Sequence, residues 1–391
     1  MKQVLLLLLI VNSLSSFGQA GDPIKRSDEL VANKKYDSAF RLLEKADPQN
    51  NNADIVLAKE NIVLGYFVTS IMHQMFALKD LEPSEDIMNY RGKAGSYNMH
   101  VFRADSILTR LIKTQPNNYK LYNGLGNYYY EVFLHYNANW IQSAETLFQL
   151  IEENYNKSIA LQGADYMVYY QLGYINELQK KYMKAIGYFS KSIELNSNYA
   201  DAYYNLAYAY LYQDDRANAL KYATKSIDLY IDKSYKADAA RMTGEIYGEL
   251  NDSKNALYYY ELSDKIESQN YYTLKALLTI YVNTKDEKKK TTLNAFYSLA
   301  PGNPTIYNDL TTIFSATPKE LINFYQSKLA SYENDKKVYG SLNFYLAQLY
   351  IPNEKQKAKD CLIKAKIALS TVLQHDNAVF KAIDELMAQT K

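Results

Sequence analysis

Apolar residues recur along this chain at i, i+3, i+4 and i+7, the spacing that builds one buried face of a helix. No run alternates in the manner of a half-buried strand, so the pattern predicts an all-helical protein. The prolines stand at 23, 48, 83, 116, 301, 304, 318 and 352, and none interrupts a periodic stretch. That placement matters because a proline inside a helix removes a hydrogen bond and clashes with the preceding turn. Between Pro116 and Pro301 there is no proline, which leaves the segment free to run helix after helix through short polar turns. Thr317-Pro318-Lys319-Glu320 predicts a helix start, with Thr as N-cap, Pro at the first position and Glu at the third. Residues 377–389 predict one more amphipathic helix. Residues 62–78 form the most apolar stretch beyond the first twenty residues and predict a single buried helix. They are few for a membrane span and include Thr69, Ser70, His73 and Gln74.

The pattern repeats. Residues 166–199 (YMVYYQLGYINELQKKYMKAIGYFSKSIELNSNY) lie over 200–233 (ADAYYNLAYAYLYQDDRANALKYATKSIDLYIDK) without a gap, a period of 34 residues. The copies share Tyr-Tyr, then Leu, then Gly or Ala, then Ala, then Lys-Ser-Ile. Small residues at fixed places mark where two helices cross closely: Gly173, Ala185 and Ser192 in the first copy, Ala207, Ala219 and Ser226 in the second. The bulky partners are Tyr169, Leu172 and Phe189, then Tyr203, Leu206 and Tyr210. Asn176 stands where the first copy would have an aromatic. This period and pattern resemble the tetratricopeptide repeat, a helix–turn–helix unit. The resemblance implies an all-α, right-handed α-solenoid of antiparallel helix pairs, here irregular at both ends.

The same logic extends the array. Gly244, Tyr247, Ala256, Tyr260 and Ser263 mark a unit that begins near Ala237 after a three-residue insertion. Upstream, Ala104, Leu108, Leu111 and Pro116 fit a second helix of a pair, and Tyr122, Leu125, Gly126 and Tyr129 open the next. The partner of that helix falls at 151–161, leaving about thirteen extra residues around 131–143 that include the single tryptophan, Trp140. They predict a lengthened helix pair with a protruding corner. Ala39, Leu43 and Ala46 fit a second helix near the start, and Leu346, Ala347, Tyr350, Ala358, Leu362 and Ala365 fit a pair near the end. The expected organisation is a signal peptide at 1–20, an irregular repeat region at 21–165, regular repeats at 166–268, and degenerate repeats with a cap at 269–391.

The first twenty residues change the picture of location. Lys2, the apolar run 4–11 and the small-residue region 13–20 predict a secretory signal peptide, with an uncleaved membrane anchor as the other reading. Beyond it, basic and acidic residues balance, which argues against nucleic-acid binding and against a polybasic membrane surface. One cysteine, Cys361, excludes an internal disulfide framework. The expected location is periplasmic or secreted. Tyr, Lys, Asn and Ile are abundant and all have AT-rich codons, so many of the 40 tyrosines reflect composition and helix packing. Asp37-Ser38-Ala39 and Asp105-Ser106-Ile107 resemble the O-glycosylation acceptor of Bacteroidetes-type bacteria, a source that this composition suits.

The search for chemistry yields no catalytic constellation. His73, His100, His135 and His375 show no metal-ligand spacing. Met72-His73-Gln74-Met75 offers thioethers and an imidazole to Cu(I), against a buried helix that uses Met as filler. Gly124-Leu125-Gly126 lacks the third glycine and the preceding strand of a nucleotide loop. The expectation is no enzyme and no cofactor. What the resemblance implies is a concave face, lined by the first helix of each pair, that binds a protein or peptide. On it fall Asn123, Asn127, Tyr170, Tyr174, Tyr204, Asn205 and Tyr208, with Asp238, Arg241 and Glu245 further along. Asn127 and Asn205 match two asparagine positions of the family's carboxylate clamp. Asn123 and Asp201 stand where that clamp needs lysines, which argues against capture of a C-terminal carboxylate. Tyrosine supplies contact area with a hydroxyl at low entropy cost, and asparagine pairs with an extended peptide backbone. The expected function is therefore a non-catalytic scaffold of the cell envelope. A small-ligand or glycan-binding module is the alternative.

Overall fold

The computed structural model describes residues 22–136 and 142–390. The signal-peptide expectation and Trp140 lie outside the described residues. The chain divides between Gln213 and Asp214 into two compact units. In the first, helices α1 (Pro23–Ala32), α2 (Tyr36–Ala46) and α3 (Ala53–Tyr66) precede three short strands. These are β1 (Thr69–Ile71), β2 (Met75–Leu78) and β3 (Asn98–Val101). Helices then continue as α4 (Ala104–Thr114), α5 (Tyr119–Tyr136), α6 (Ala144–Ala160), α7 (Tyr166–Leu178), α8 (Tyr182–Leu195) and α9 (Ala200–Tyr212). Consecutive helices pack as antiparallel pairs, α1 on α2, α5 on α6 and α7 on α8, in an α-solenoid arrangement.

The small residues do what the repeat pattern predicts. A Cβ on Gly173 would lie 2.6 Å from the Phe189 ring, and one on Gly126 would collide with Tyr155. Ala185, Phe189 and Ser192 of α8 and Leu172 of α7 are fully buried. The pair α5–α6 is longer than α7–α8, as the extra residues around 131–143 predict.

The turns repeat as well, in a way that composition hides. Lys34 and Lys180 follow the first helix of their pairs in the left-handed conformation, at φ 59° each. The next amide closes the turn back onto the helix: Lys35 N–H to Leu30 O at 2.8 Å, Lys181 N–H to Asn176 O at 2.8 Å. This is a helix C-cap made without glycine. It shows that α1–α2, where only the second helix was expected, is a complete repeat unit.

Residues 62–78 are not one helix. The chain leaves α3 at Phe67, which is extended, and then forms the β1–β2 hairpin. Met72 and His73 are both left-handed, at φ 49°, and Gln74 N–H closes on Ile71 O at 3.0 Å. Two left-handed central residues make the tight turn whose twist suits a hairpin. β3 then pairs antiparallel with β2, opposing His100 to Phe76. The apolar run misleads because it spans the buried end of α3 and the buried residues of β2, Phe76, Ala77 and Leu78; periodicity cannot separate the two over so few residues. Strands of three and four residues are too short to show alternation.

The second unit contains α10 (Arg216–Leu229), α11 (Lys233–Glu249), α12 (Ser253–Ile266), α13 (Tyr271–Asn283), α14 (Lys289–Ser298), α15 (Pro304–Ile313), α16 (Pro318–Leu329), α17 (Lys336–Tyr350), α18 (Lys355–Ser370) and α19 (Ala378–Gln389). Asn251 and Lys285 repeat the left-handed turn, closed by Asp252 N–H to Tyr247 O and Asp286 N–H to Tyr281 O, both at 2.9 Å. Tyrosine serves as core: Tyr297, Tyr307 and Tyr325 are wholly buried, and Tyr345 stacks on Tyr307 at 4.4 Å. Leu346, Ala347, Tyr350, Ala358, Leu362 and Ala365 are buried between α17 and α18. Pro318 opens α16 as expected, but the Thr317 hydroxyl makes no capping bond.

Candidate functional site

The largest cavity described, about 860 Å³, lies in the first unit against α1, α3, α5 and the start of α7. Of these, α1, α5 and α7 are first helices of their pairs, the helices on which the sequence resemblance leads one to expect a binding face. Its walls carry Asn123 and Asn127, two of the expected binding residues. The Asn123 amide donates to Gly163 O at 3.3 Å, which turns its Oδ1 the other way, into a buried position without a hydrogen-bond partner. Asn127 Oδ1 accepts from the Tyr155 hydroxyl at 2.7 Å, and that hydroxyl also lies 2.5 Å from Gln171 Oε1.

Glu60, which the sequence pattern did not single out, lines the same cavity and is 1% exposed. Its Oε1 has no hydrogen-bond partner, and burial pushes its carboxyl up to about 8. Lys59 beside it points elsewhere, donating to Asp47 O and Asn50 Oδ1 at 2.8 Å each. Lys120, on the wall, pairs with Asp54 at 3.0 Å. Asp28 and Asp165 add further acid, and Tyr66 and Tyr119 bring rings to the wall. The available signal was Lys59-Glu60, two adjacent charges midway along the mostly apolar helix ADIVLAKENIVLGY.

The remaining expected residues form a ladder on α7 and α9. Asn205 donates its amide to the Tyr170 hydroxyl at 3.0 Å. The Tyr170 ring meets Tyr199 at 4.9 Å edge-on, Phe189 at 5.8 Å and Tyr174 at 6.4 Å. Burial raises the Tyr170 and Tyr174 phenols above their ordinary range. Tyr208 donates to the Tyr212 hydroxyl at 3.1 Å, and Tyr212 stacks on Tyr182 at 4.8 Å. Tyr204 is half-buried on the same helix. Glu177 sits among these rings with Oε2 buried and unpartnered, its carboxyl pushed up to about 8 by burial. In the second unit Arg241 is held within α11 by Asp238 and Glu245.

His73 is fully buried, with no hydrogen bond to either ring nitrogen, among Tyr136, Phe76, Phe67 and His135. Burial, reinforced by His135, lowers it to about 3, so it is a neutral aromatic. Among the described residues no group of three or more His, Cys, Asp or Glu is placed to hold a metal ion, and no helix is long and apolar enough to cross a membrane. Asp37 is buried and accepts from His100 and Asn98, and the Ser38 hydroxyl donates to Asp80, so the first acceptor-like tripeptide is occupied within the fold.

No protein-family model matches this chain, and no curated protein does. Among solved structures it is similar to MamA, at 24% identity over 42% of this chain and 87% of that one, with a TM-score of 0.36. It is similar to PilF of Pseudomonas aeruginosa, at 18% identity over 53% and 87%, with a TM-score of 0.41. A tetratricopeptide repeat protein from Parabacteroides merdae matches at 17% identity over 69% and 98%, with a TM-score of 0.40. These are partial likenesses; the helix-pair fold rests on the packing of the helices themselves.

Proposed function

We propose that this protein is a non-catalytic scaffold that holds a protein or peptide partner along the first-helix face of its first unit. Asn123 and Asn127 contact the partner in the cavity, and Tyr170, Tyr174, Tyr204, Asn205 and Tyr208 contact it on the ladder. The observation that carries this reading is the roomy polar cavity on that face, with amide and carboxylate oxygens left without partners. Buried polar groups are nearly always satisfied, so acceptors left free on a cavity wall suit a partner that brings hydrogen-bond donors. The proposed setting is the cell envelope, periplasmic or secreted, which the N-terminal signal pattern supports.

The test is affinity capture with the mature protein, comparing wild type with Asn123→Ala/Asn127→Ala and with Tyr170→Ala/Tyr204→Ala/Tyr208→Ala. A partner recovered by wild type and lost by either set is expected. Equal recovery by all three removes the face from the proposal. A thermal-shift screen of peptides against glycans separates this function from a sugar-binding module.

A further inference from the structure

Glu60 poses a specific chemical question. Among the described residues its carboxylate makes no hydrogen bond and no ion pair, although it is almost wholly buried. Burying a carboxylate is strongly unfavourable unless a partner compensates. The candidate cations within reach are committed, Lys59 to Asp47 and Asn50, Lys120 to Asp54. The carboxylate lies against the backbone of α5: a Cβ on Gly124 would stand 2.5 Å from its Oε2 and 2.6 Å from Leu57 Cδ2. Glycine at 124 is what admits the carboxylate there. The next residue back is Asn123, whose Oδ1 is the second buried acceptor without a partner, and both line the same cavity. With Glu60 ionised, two unsatisfied acceptors and no free donor make a site complementary to a cation rich in N–H bonds.

We propose that this cavity binds a primary ammonium group, with Glu60 as its counter-ion and Asn123 as its second acceptor. A divalent metal is disfavoured by the donor set, since such ions take six or more oxygens and usually several carboxylates. A guanidinium is served best by both oxygens of one carboxylate, as a fork; here the buried unpartnered acceptors belong to two different side chains, Glu60 and Asn123, an arrangement that suits a point donor. Asp28 and Asp165 add attraction at the wall. The site rests on the scaffold reading only for what carries the ammonium: a lysine of a bound protein, or a free diamine.

The probes are an end-capped Gly/Ser peptide with one central lysine, the same peptide with N-acetyllysine, and cadaverine, each titrated calorimetrically into the mature protein at pH 9. The lysine peptide is expected to bind and the acetylated one to lose at least about tenfold, the range of a charge-assisted hydrogen bond. Cadaverine binding as tightly as the peptide assigns the site to free amines; cadaverine much weaker assigns it to peptides. Glu60→Gln, which keeps shape and removes charge, is expected to weaken the lysine peptide by a similar factor and to melt no lower than wild type. Lysine affinity is expected to fall from pH 9 to pH 6 in wild type as Glu60 takes up its proton, and to stay flat in the variant. Equal affinity for the lysine and acetyllysine peptides overturns the proposal, as does unchanged binding by Glu60→Gln or no binding of any amine at millimolar concentration. Captured partner with no response to lysine removes this site alone; lysine binding with no partner removes the scaffold reading alone.

Discussion

Two stretches of the same face treat their polar atoms in opposite ways. On α7 and α9 the expected binding residues satisfy one another: Asn205 on Tyr170, Tyr208 on Tyr212, ring on ring throughout. Against α3 and α5, by contrast, Glu60 and Asn123 leave acceptor oxygens buried and unanswered beside open space. A row of tyrosines is conspicuous in sequence, yet its side chains have internal work in packing. Of the unanswered oxygens, that of Asn123 lies at an expected position and that of Glu60 is inconspicuous in sequence, and both residues line the cavity. Glu177 is the ladder's exception, an unpartnered carboxylate among the rings.

The largest expected effect breaks the ladder. Tyr170→Ala removes a ring packed on Tyr199, Phe189 and Tyr174 and leaves the Asn205 amide without its acceptor. Truncating a packed aromatic costs about 3 kcal/mol, and the lost hydrogen bond adds to that. Hydrogen exchange should show α7 and α9 losing protection while α1 and α3 keep theirs. Unchanged protection would make the ladder a surface ornament and return its tyrosines to pure binding duty.

A smaller effect tests the unpaired acids. Glu60 and Glu177 are both held up to about 8 against an ordinary 4.5, so the folded chain keeps protons that the unfolded chain releases. The resulting stabilisation is full below about pH 4.5 and is lost as pH rises through about 8. Asp28, Asp54, Asp165 and Lys120 share the cavity with Glu60, and Tyr170, Tyr174, Tyr182 and Tyr208 surround Glu177. The urea midpoint of the first unit should therefore fall between pH 6 and pH 9. Glu60→Gln and Glu177→Gln should each make that slope shallower. A flat wild-type profile would mean that both acids find partners.

What the sequence exposes here is steric. Gly126 against Tyr155 and Gly173 against Phe189 are pairwise fits at fixed spacing, so the helix pairs and much of the helix-packing core can be read in advance. The hairpin after α3 could not, because its turn uses Met72 and His73 where glycine or asparagine would have announced it. Thr317 teaches the same caution about caps: Pro318 starts the helix without the hydroxyl bond that the residue type promised. Of the site, Asn123 and Asn127 follow from repeat position alone. Glu60 does not, since a glutamate on a helix looks solvated until the neighbouring pairs close over it, and its lack of a partner is a property of three helices at once.

The smallest expected effect is the most discriminating. Asn123→Ala removes one long hydrogen bond, 3.3 Å to Gly163 O, and an oxygen that already lacks a partner. Removing an unsatisfied acceptor relieves a cost while losing the bond adds one, so the two offset and the stability change should stay within about 0.5 kcal/mol. The same substitution deletes the second acceptor proposed for an ammonium, and the lysine peptide should bind several-fold more weakly. Tyr170→Ala is expected to show the reverse ratio, a large loss of protection with lysine affinity retained. If Asn123→Ala instead unfolds α5 and leaves binding unchanged, then Asn123 belongs with the ladder as a packing residue, and the distinction between the two stretches rests on Glu60 alone.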